Sequence, residues 1–188
     1  MRQLKKINCE RVMQLTKYIS GAIIKSQNKS YPISDIQKGG TEMKIAIGCD
    51  PNAQAAKEEL IRYIEEKGYG KVTDFGSNDP IYAHTAIKVA ESVAAKEYDR
   101  GILICGTGIG VSLAANKVKG AYAALVSDVY SAERARLSND ANIICMGAFT
   151  TGSKVREELV DAFLTNEFVP GCPSQSKVDA FVEYDQNR

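Results

Sequence analysis

Tryptophan is missing from this chain of 188 residues, and histidine occurs once, as His84. A single imidazole excludes a His-rich metal centre. No apolar run approaches the ~18 residues that a membrane-spanning helix needs, so no membrane span is expected. Neither sign of charge is in excess: 24 Lys and Arg against 23 Asp and Glu leave a net charge of +1. The basic footprint of a nucleic-acid partner is therefore lacking across the chain as a whole. Cysteine is present but unpaired in pattern. Cys9, Cys49, Cys105, Cys145 and Cys172 are scattered, odd in number and without metal-ligand spacing. That usage fits a reducing, cytoplasmic setting better than a disulfide framework. Repeats and low-complexity tracts are lacking as well.

What remains is ordinary in bulk and uneven in detail. A hydrophobic content of 44% and a charged content of 25% suit a single soluble globular domain with a real core. The first 42 residues stand apart, with eight basic and three acidic side chains, a charge of +5 that leaves −4 for residues 43–188. Leu4, Ile7, Val12, Leu15, Ile19 and Ile23 suggest a basic amphipathic helix, followed by a polar loop over 26–42. A helix of that kind suits a membrane surface or a partner protein. A targeting segment fits less well, because no signal-peptide hydrophobic region is present. A third reading starts from Lys38-Gly-Gly-Thr-Glu-Met43, which a purine-rich ribosome-binding sequence ahead of a start codon would encode. On that reading residues 1–42 are an extension that is not native, and the domain proper is 43–188.

From Lys44 onward strand-like and helical patterns alternate. Strands are expected at Lys44–Cys49, Lys71–Phe75, Gly101–Cys105, Ala121–Val126 and Asn142–Met146. Helices are expected at Ala53–Lys67, Tyr82–Ala95, Gly110–Val118, Ser131–Leu137 and Ser153–Leu164, with a last short one near Lys177–Tyr184. Five βα units predict an α/β fold, a Rossmann-like, doubly wound, five-stranded parallel sheet in one domain. Ligands of such sheets sit at the carboxyl ends of the strands. Asp50, Cys105 and Ser127-Asp128 each fall just past a strand.

The densest signal is Gly101 to Lys117. Gly101–Ile104 reads as a buried parallel strand. Cys105 follows, then Gly106, Gly108 and Gly110 at alternating positions with Thr107 between the first two. Val111, Ala114, Ala115 and Val118 continue at helical spacing. A strand, a glycine-rich turn and a helix start form a nest of backbone N–H groups for an anion. The helix dipole favours the thiolate of a cysteine at its rim, as base or nucleophile. The alternative is a small buried hydrophobe at a strand end, the usual fate of a lone cysteine. The spacing is Gly-x-Gly-x-Gly, not the dinucleotide fingerprint.

Ile104-Cys-Gly-Thr-Gly-Ile-Gly110 with Ala114-Ala-Asn-Lys-Val118 resembles the signature of the type B ribose-5-phosphate isomerases. That family includes the galactose-6-phosphate isomerase subunits and the tetrulose-phosphate isomerases. Met43-Lys-Ile-Ala-Ile-Gly-Cys-Asp50, Ala90-Glu-Ser-Val-Ala94, Tyr130-Ser-Ala132 and Asn139-Asp-Ala-Asn142 carry the likeness on to about Phe168. The resemblance implies a cofactor-free, metal-free aldose–ketose isomerase of a sugar phosphate. It implies Cys105 as the base that moves a proton between C2 and C1, and Thr107 as the hydroxyl assisting ring opening. The amides of Gly106, Gly108, Ile109 and Gly110 are implied as donors to the enediolate. Asp50 matches the family acid that orients substrate hydroxyls, though an Asp there also suits a helix N-cap. Tyr82 matches a family Tyr that reaches the substrate, or is a core residue; His84 reads as solvated. A homodimer or homotetramer is implied, with Asn139 and Arg136 acting across the interface.

Departures from the family are informative. Pro51 stands where a His commonly follows the first-strand Asp, and Ser138-Asn139 replaces the His-Asn of the ribose branch. Phe149 takes the place of a phosphate-binding Arg, and Pro170 to Lys177 replaces an Arg- and His-rich segment. Each lost charged hydrogen bond is worth roughly 1.5–3 kcal/mol. Candidate replacement cations are Arg134, Arg136 and Lys177. Ser-Asn is also the tetrulose-phosphate branch's choice, and a four-carbon sugar phosphate cannot close a ring, so it needs no ring-opening histidine. The expected substrate is a tetrose or pentose phosphate, with the tetrose favoured. The alternatives are a galactose-6-phosphate isomerase-like enzyme and a non-catalytic phosphosugar-binding subunit of a hetero-oligomer.

Overall fold

A computed structural model describes residues 42–76 and 78–188. The expectations for residues 1–41, the amphipathic helix and most of the polar loop, lie outside the described residues. Five strands form one parallel sheet: β1 (Lys44–Cys49), β2 (Lys71–Asp74), β3 (Arg100–Cys105), β4 (Ala123–Leu125) and β5 (Ile143–Gly147). Their spatial order is β2-β1-β3-β5-β4. The helices are α1 (Gln54–Lys67), α2 (Tyr82–Ala94), α3 (Ile109–Ala115), α4 (Val129–Leu137), α5 (Ser153–Leu164) and α6 (Gln175–Asn187). The expected α/β architecture and all five βα units are present. β4 is shorter than its apolar run suggested, and α6 is longer at both ends than the pattern showed.

Alternation along each strand decides which helices it meets. Ile45, Ile47, Ile102, Ile104, Ile144 and Met146 face one side, packed with Leu60 and Ile64 of α1, Ala132 and Ala135 of α4, and Leu159 and Phe163 of α5. Ala46, Leu103, Cys105, Ile143 and Cys145 face the other, against Ala86, Val89 and Val93 of α2 and Val111 and Ala115 of α3. The second face carries the smaller residues, which lets α2 sit close. A Cβ on Gly48 would fall 2.7 Å from Thr85 Cγ2 and 3.2 Å from Val89 Cγ2. Among the described residues no helix is long and apolar enough to cross a membrane.

β1 and β3 are adjacent, yet β1 hands the chain outward to β2 while β3 leads to the other side of the sheet. Their carboxyl ends flank the crevice where the winding reverses, the usual ligand position in such sheets.

Candidate active site

Cys105 ends β3 and is 5% exposed. The register places Cys49 beside Ile104, and the Asp50 amide donates to the Ile104 carbonyl at 3.1 Å, so Asp50 and Cys105 leave neighbouring strands together. On the other flank Cys105 pairs with Gly147, and the Ala148 amide donates to the Cys105 carbonyl at 2.8 Å. The Phe149 amide donates to the Gly106 carbonyl at 3.0 Å. Three strand ends thus hold the glycine loop from both sides.

The loop turns back on its cysteine. Gly108, at φ 80°, is the residue before α3, and its amide donates to Cys105 Sγ at 3.1 Å. That left-handed backbone favours glycine, which carries no Cβ to strain it. A Cβ there would also stand 2.8 Å from the Met146 carbonyl carbon and 2.6 Å from Leu125 Cδ1. Thr107 Oγ1 accepts from the Ile109 amide at 3.4 Å, a long contact that leaves its hydroxyl proton available.

Side chains from other elements lean over each glycine. The Phe149 ring lies 3.1 Å from where a Gly106 Cβ would be, and Leu125 covers Gly108. Tyr82, in the first turn of α2, sets its phenol against Gly110, with Oη 2.7 Å from the position of an added Cβ. Tyr82, Ile109 and Phe149 are exposed at 41%, 51% and 74%, so this collar is open to a ligand. Sequence reasoning missed Leu125, whose three-residue strand carries no motif.

Asp50 serves as N-cap of the short 3-10 turn Pro51–Ala53, its Oδ1 accepting from the Ala53 amide at 3.1 Å. The N-cap reading of Asp50 is met, and its Oδ2 has no hydrogen-bond partner among the described residues. Asp128 caps α4 through Ser131, whose hydroxyl and amide hold its carboxyl below the usual range. His84 is solvated, as its position suggested, and its Nδ1 sits 2.9 Å from Asp79 Oδ2.

Arg136 and Asn139 stand apart from this group. Both lie at the end of α4 or just beyond it, at the amino edge of the sheet, opposite Cys105. The Arg136 guanidinium is 4% exposed and committed to Asp140 Oδ1 at 2.9 Å, the Ala141 carbonyl at 2.7 Å and Glu167 Oε2 at 2.6 Å. Of the other candidate cations, Arg134 stacks over the Tyr130 ring at 5.9 Å and Lys177 is exposed on α6. Beside the end of β2, Lys57 grips both oxygens of Asp74 at 2.7 Å, and Arg156 in the first turns of α5 holds Glu59 at 2.8 Å. No group of three or more His, Cys, Asp or Glu could hold a metal ion among the described residues.

A doubly wound sheet with a thiol, a carboxylate and a glycine nest at its switch point is the frame of a small-molecule enzyme. The sequence pattern described as Ribose/Galactose Isomerase matches residues 45–181, and the chain belongs to that family. It is 50% identical over 147 residues to a ribose-5-P isomerase B of Listeria innocua, covering 77% of this chain and 98% of that protein. A D-erythrulose-4-phosphate isomerase of Pectobacterium atrosepticum is 40% identical, covering 76% of this chain and 95% of the relative. The type B ribose 5-phosphate isomerase of Trypanosoma brucei superposes with a TM-score of 0.73 at 37% identity, over 77% of this chain and 99% of that one. The protein is a sugar-phosphate isomerase of the aldose–ketose kind.

Proposed function

We propose that the protein interconverts a four-carbon aldose phosphate and its ketose through an enediolate, with Cys105 as the base. The thiolate takes the proton from C2 and returns it to C1, while the proton on the carbonyl side passes between O1 and O2. The observation that carries this reading is the placement of Cys105 Sγ at the strand end, held by the Gly108 amide and flanked by Asp50. Because Gly108 is spent on the sulfur, the remaining amides of the Gly106–Gly110 run serve the enediolate oxygens. Loss of one such donor costs about 3 kcal/mol in comparable sites. Thr107 supplies a hydroxyl to the same oxygens, Asp50 orients substrate hydroxyls, and Tyr82 offers its phenol from above Gly110.

The four-carbon preference rests on Ser138 and Phe149. Neither can perform what a ring-opening histidine or a phosphate-binding arginine performs, and a tetrose phosphate needs no ring opened. A second reading, ribose 5-phosphate, is favoured by the relative at 50% identity, which carries that substrate's name.

Asn139 and Cys105 lie at opposite edges of one sheet, so one chain does not bring them together. We assign the working form to a homo-oligomer in which a neighbour's Asn139 reaches the pocket. Arg136 braces that turn through Asp140, and in this way positions Asn139.

Proton NMR in D2O tests the proposal, with erythrose 4-phosphate and ribose 5-phosphate run in parallel. Ketose formation with deuterium uptake from the tetrose, at a kcat/KM at least tenfold above the pentose, is the expected result. A tenfold preference for ribose 5-phosphate overturns the four-carbon assignment and leaves the isomerase chemistry standing. Deuterium uptake that survives Cys105→Ala overturns the base assignment.

A further inference from the structure

The turn after β5 carries two consecutive threonines, and the fold needs the hydroxyl of only one. Thr151 is buried, and its hydroxyl and amide both reach the Gly147 carbonyl, at 2.6 Å and 3.1 Å. A carbonyl oxygen has two lone pairs, so that acceptor is filled. Thr150 is exposed, and its hydroxyl meets the same carbonyl only at 3.5 Å. That is beyond the roughly 2.5–3.0 Å of an O–H···O hydrogen bond. Nothing else holds the Thr150 hydroxyl among the described residues.

This idle hydroxyl lies on the same side of the sheet as the Cys105 thiol. β3 and β5 pair Cys105 with Gly147 in register. Side chains alternate along a strand, and Ile143 and Cys145 pack with Cys105 against α2 and α3. Gly147, two residues past Cys145, therefore directs its missing side chain to that face, beside the thiol. Thr150 Oγ1 stands 2.2 Å from where a Gly147 Cβ would be, and Thr107 Cα stands 2.8 Å from the same point. The Thr150 hydroxyl thus takes the place of the absent side chain, next to Cys105 and against Thr107. Asp50 leaves β1 on the other flank of Cys105. Neighbouring strands lie ~4.8 Å apart, so the strands that deliver Asp50 and Thr150 bracket the thiol across about 10 Å. A short sugar chain fills that gap.

We propose that Thr150 is a specificity-determining residue of the isomerase, its hydroxyl donating to the substrate oxygen on C3. The assignment rests on the Cys105-centred reading above, in which the loop amides and Thr107 take the oxygens on C1 and C2. The C3 oxygen is the next along the chain. A donor on the β5 side with no acceptor in the fold is placed to meet it, opposite the Asp50 carboxylate. That oxygen does not change charge during the reaction, so the contact is equal in ground and transition states and acts on KM.

Steady-state kinetics of wild type, Thr150→Val and Thr150→Ser test this, on whichever of erythrose 4-phosphate and ribose 5-phosphate the wild type turns over. Valine keeps the branched shape and removes only the hydroxyl, so Tm should stay within roughly 2 °C. In Thr150→Val, KM is expected to rise at least about threefold, in the range of one neutral hydrogen bond, with kcat within twofold. Thr150→Ser, which restores the hydroxyl, should bring KM back to within twofold of wild type. The 3-deoxy analogue of the substrate lacks the oxygen, so wild type and Thr150→Val should handle it alike. A smaller rise in KM overturns the contact, and so does a rise that persists with the 3-deoxy analogue. A fall in kcat at unchanged KM also overturns it and makes Thr150 a support for the Thr107 backbone. Failure of the Cys105 reading shows separately, as deuterium uptake that survives Cys105→Ala, and leaves the comparison of Val with Ser legible.

Discussion

The Gly108 amide points at Cys105 Sγ from 3.1 Å, closing a turn in which the sulfur and the start of α3 hold each other. A thiol so placed is fixed in direction before substrate arrives. Orientation of that kind is what proton transfer between adjacent carbons demands.

Replacing the sulfur should therefore separate chemistry from fold. Cys105→Ala is expected to lower kcat by ~10²–10⁴, the range typical of a positioned acid–base group. The side chain is small, so thermal unfolding should shift little. Loss of solvent deuterium uptake at C2, followed by NMR at matched folding, is the measurement. Activity within tenfold of wild type would remove Cys105 from the base role.

Gly108 and Gly110 should respond differently to one added methyl. At Gly108 the left-handed backbone costs about 1–2 kcal/mol for any L-residue, and the new Cβ meets the Met146 backbone at 2.8 Å. Backbone cannot step aside, so Gly108→Ala should lower Tm by roughly 5–10 °C, at ~2–4 °C per kcal/mol for a domain of this size. At Gly110 the obstruction is the end of the half-exposed Tyr82 side chain, 2.5 Å away at Cζ. A side chain can swing, so Gly110→Ala should keep Tm within roughly 2 °C and raise KM by displacing the phenol. Scanning calorimetry with steady-state kinetics distinguishes the two; equal Tm losses would contradict the geometry.

The legible part of this protein was periodic or punctuated. Ile45, Ile47 and Cys49 alternate with Ala46 and Gly48, and that pattern placed β1 to the residue. Cys105 and its glycines announced the loop because a strand running into alternating glycines has few other uses. Leu125 gave no such signal. Arg136 and Glu167 stand far apart in the chain, and only the packing of the fold brings them to one edge of the sheet. Arg136 was legible as a cation but not as a committed one, since Glu167 reaches it from the segment that follows α5.

Phe149 gives the substrate question a single-residue test. Its ring covers Gly106 and is 74% exposed, so a longer polar side chain fits without repacking the core. Phe149→Arg should raise kcat/KM for ribose 5-phosphate relative to erythrose 4-phosphate by roughly 10- to 100-fold, the equivalent of one charged hydrogen bond. Parallel assays of both sugars on wild type and variant read the ratio directly. An unchanged ratio would show that this position does not set carbon count.

The last helix carries a pH-dependent tie. Asp185 of α6 accepts the Gly120 amide at 2.7 Å, Arg188 Nε at 2.6 Å and the Tyr122 hydroxyl at 3.2 Å. The Gly120 amide, then the Arg188 hydrogen bond and charge, hold its carboxyl below the ordinary value of 3.8. A carboxylate with a depressed folded value contributes fully above its unfolded pKa, and that contribution is lost as pH falls through the folded value. The tie should therefore be intact from neutral pH down to the ordinary carboxylate value of 3.8 and be lost only as pH falls below it, through the folded value. Asp185→Asn removes the charge, so the stability difference between wild type and variant should be constant near neutrality and shrink toward zero in acid. Hydrogen exchange at the Gly120 amide should quicken in the variant at pH 7 and converge on wild type once pH falls below the depressed value of Asp185. A difference that shows no decline as pH is lowered to the acid unfolding transition would mean that packing of Val178 and Phe181, with the Tyr122–Phe181 ring contact at 5.3 Å, holds α6 in place without the carboxylate.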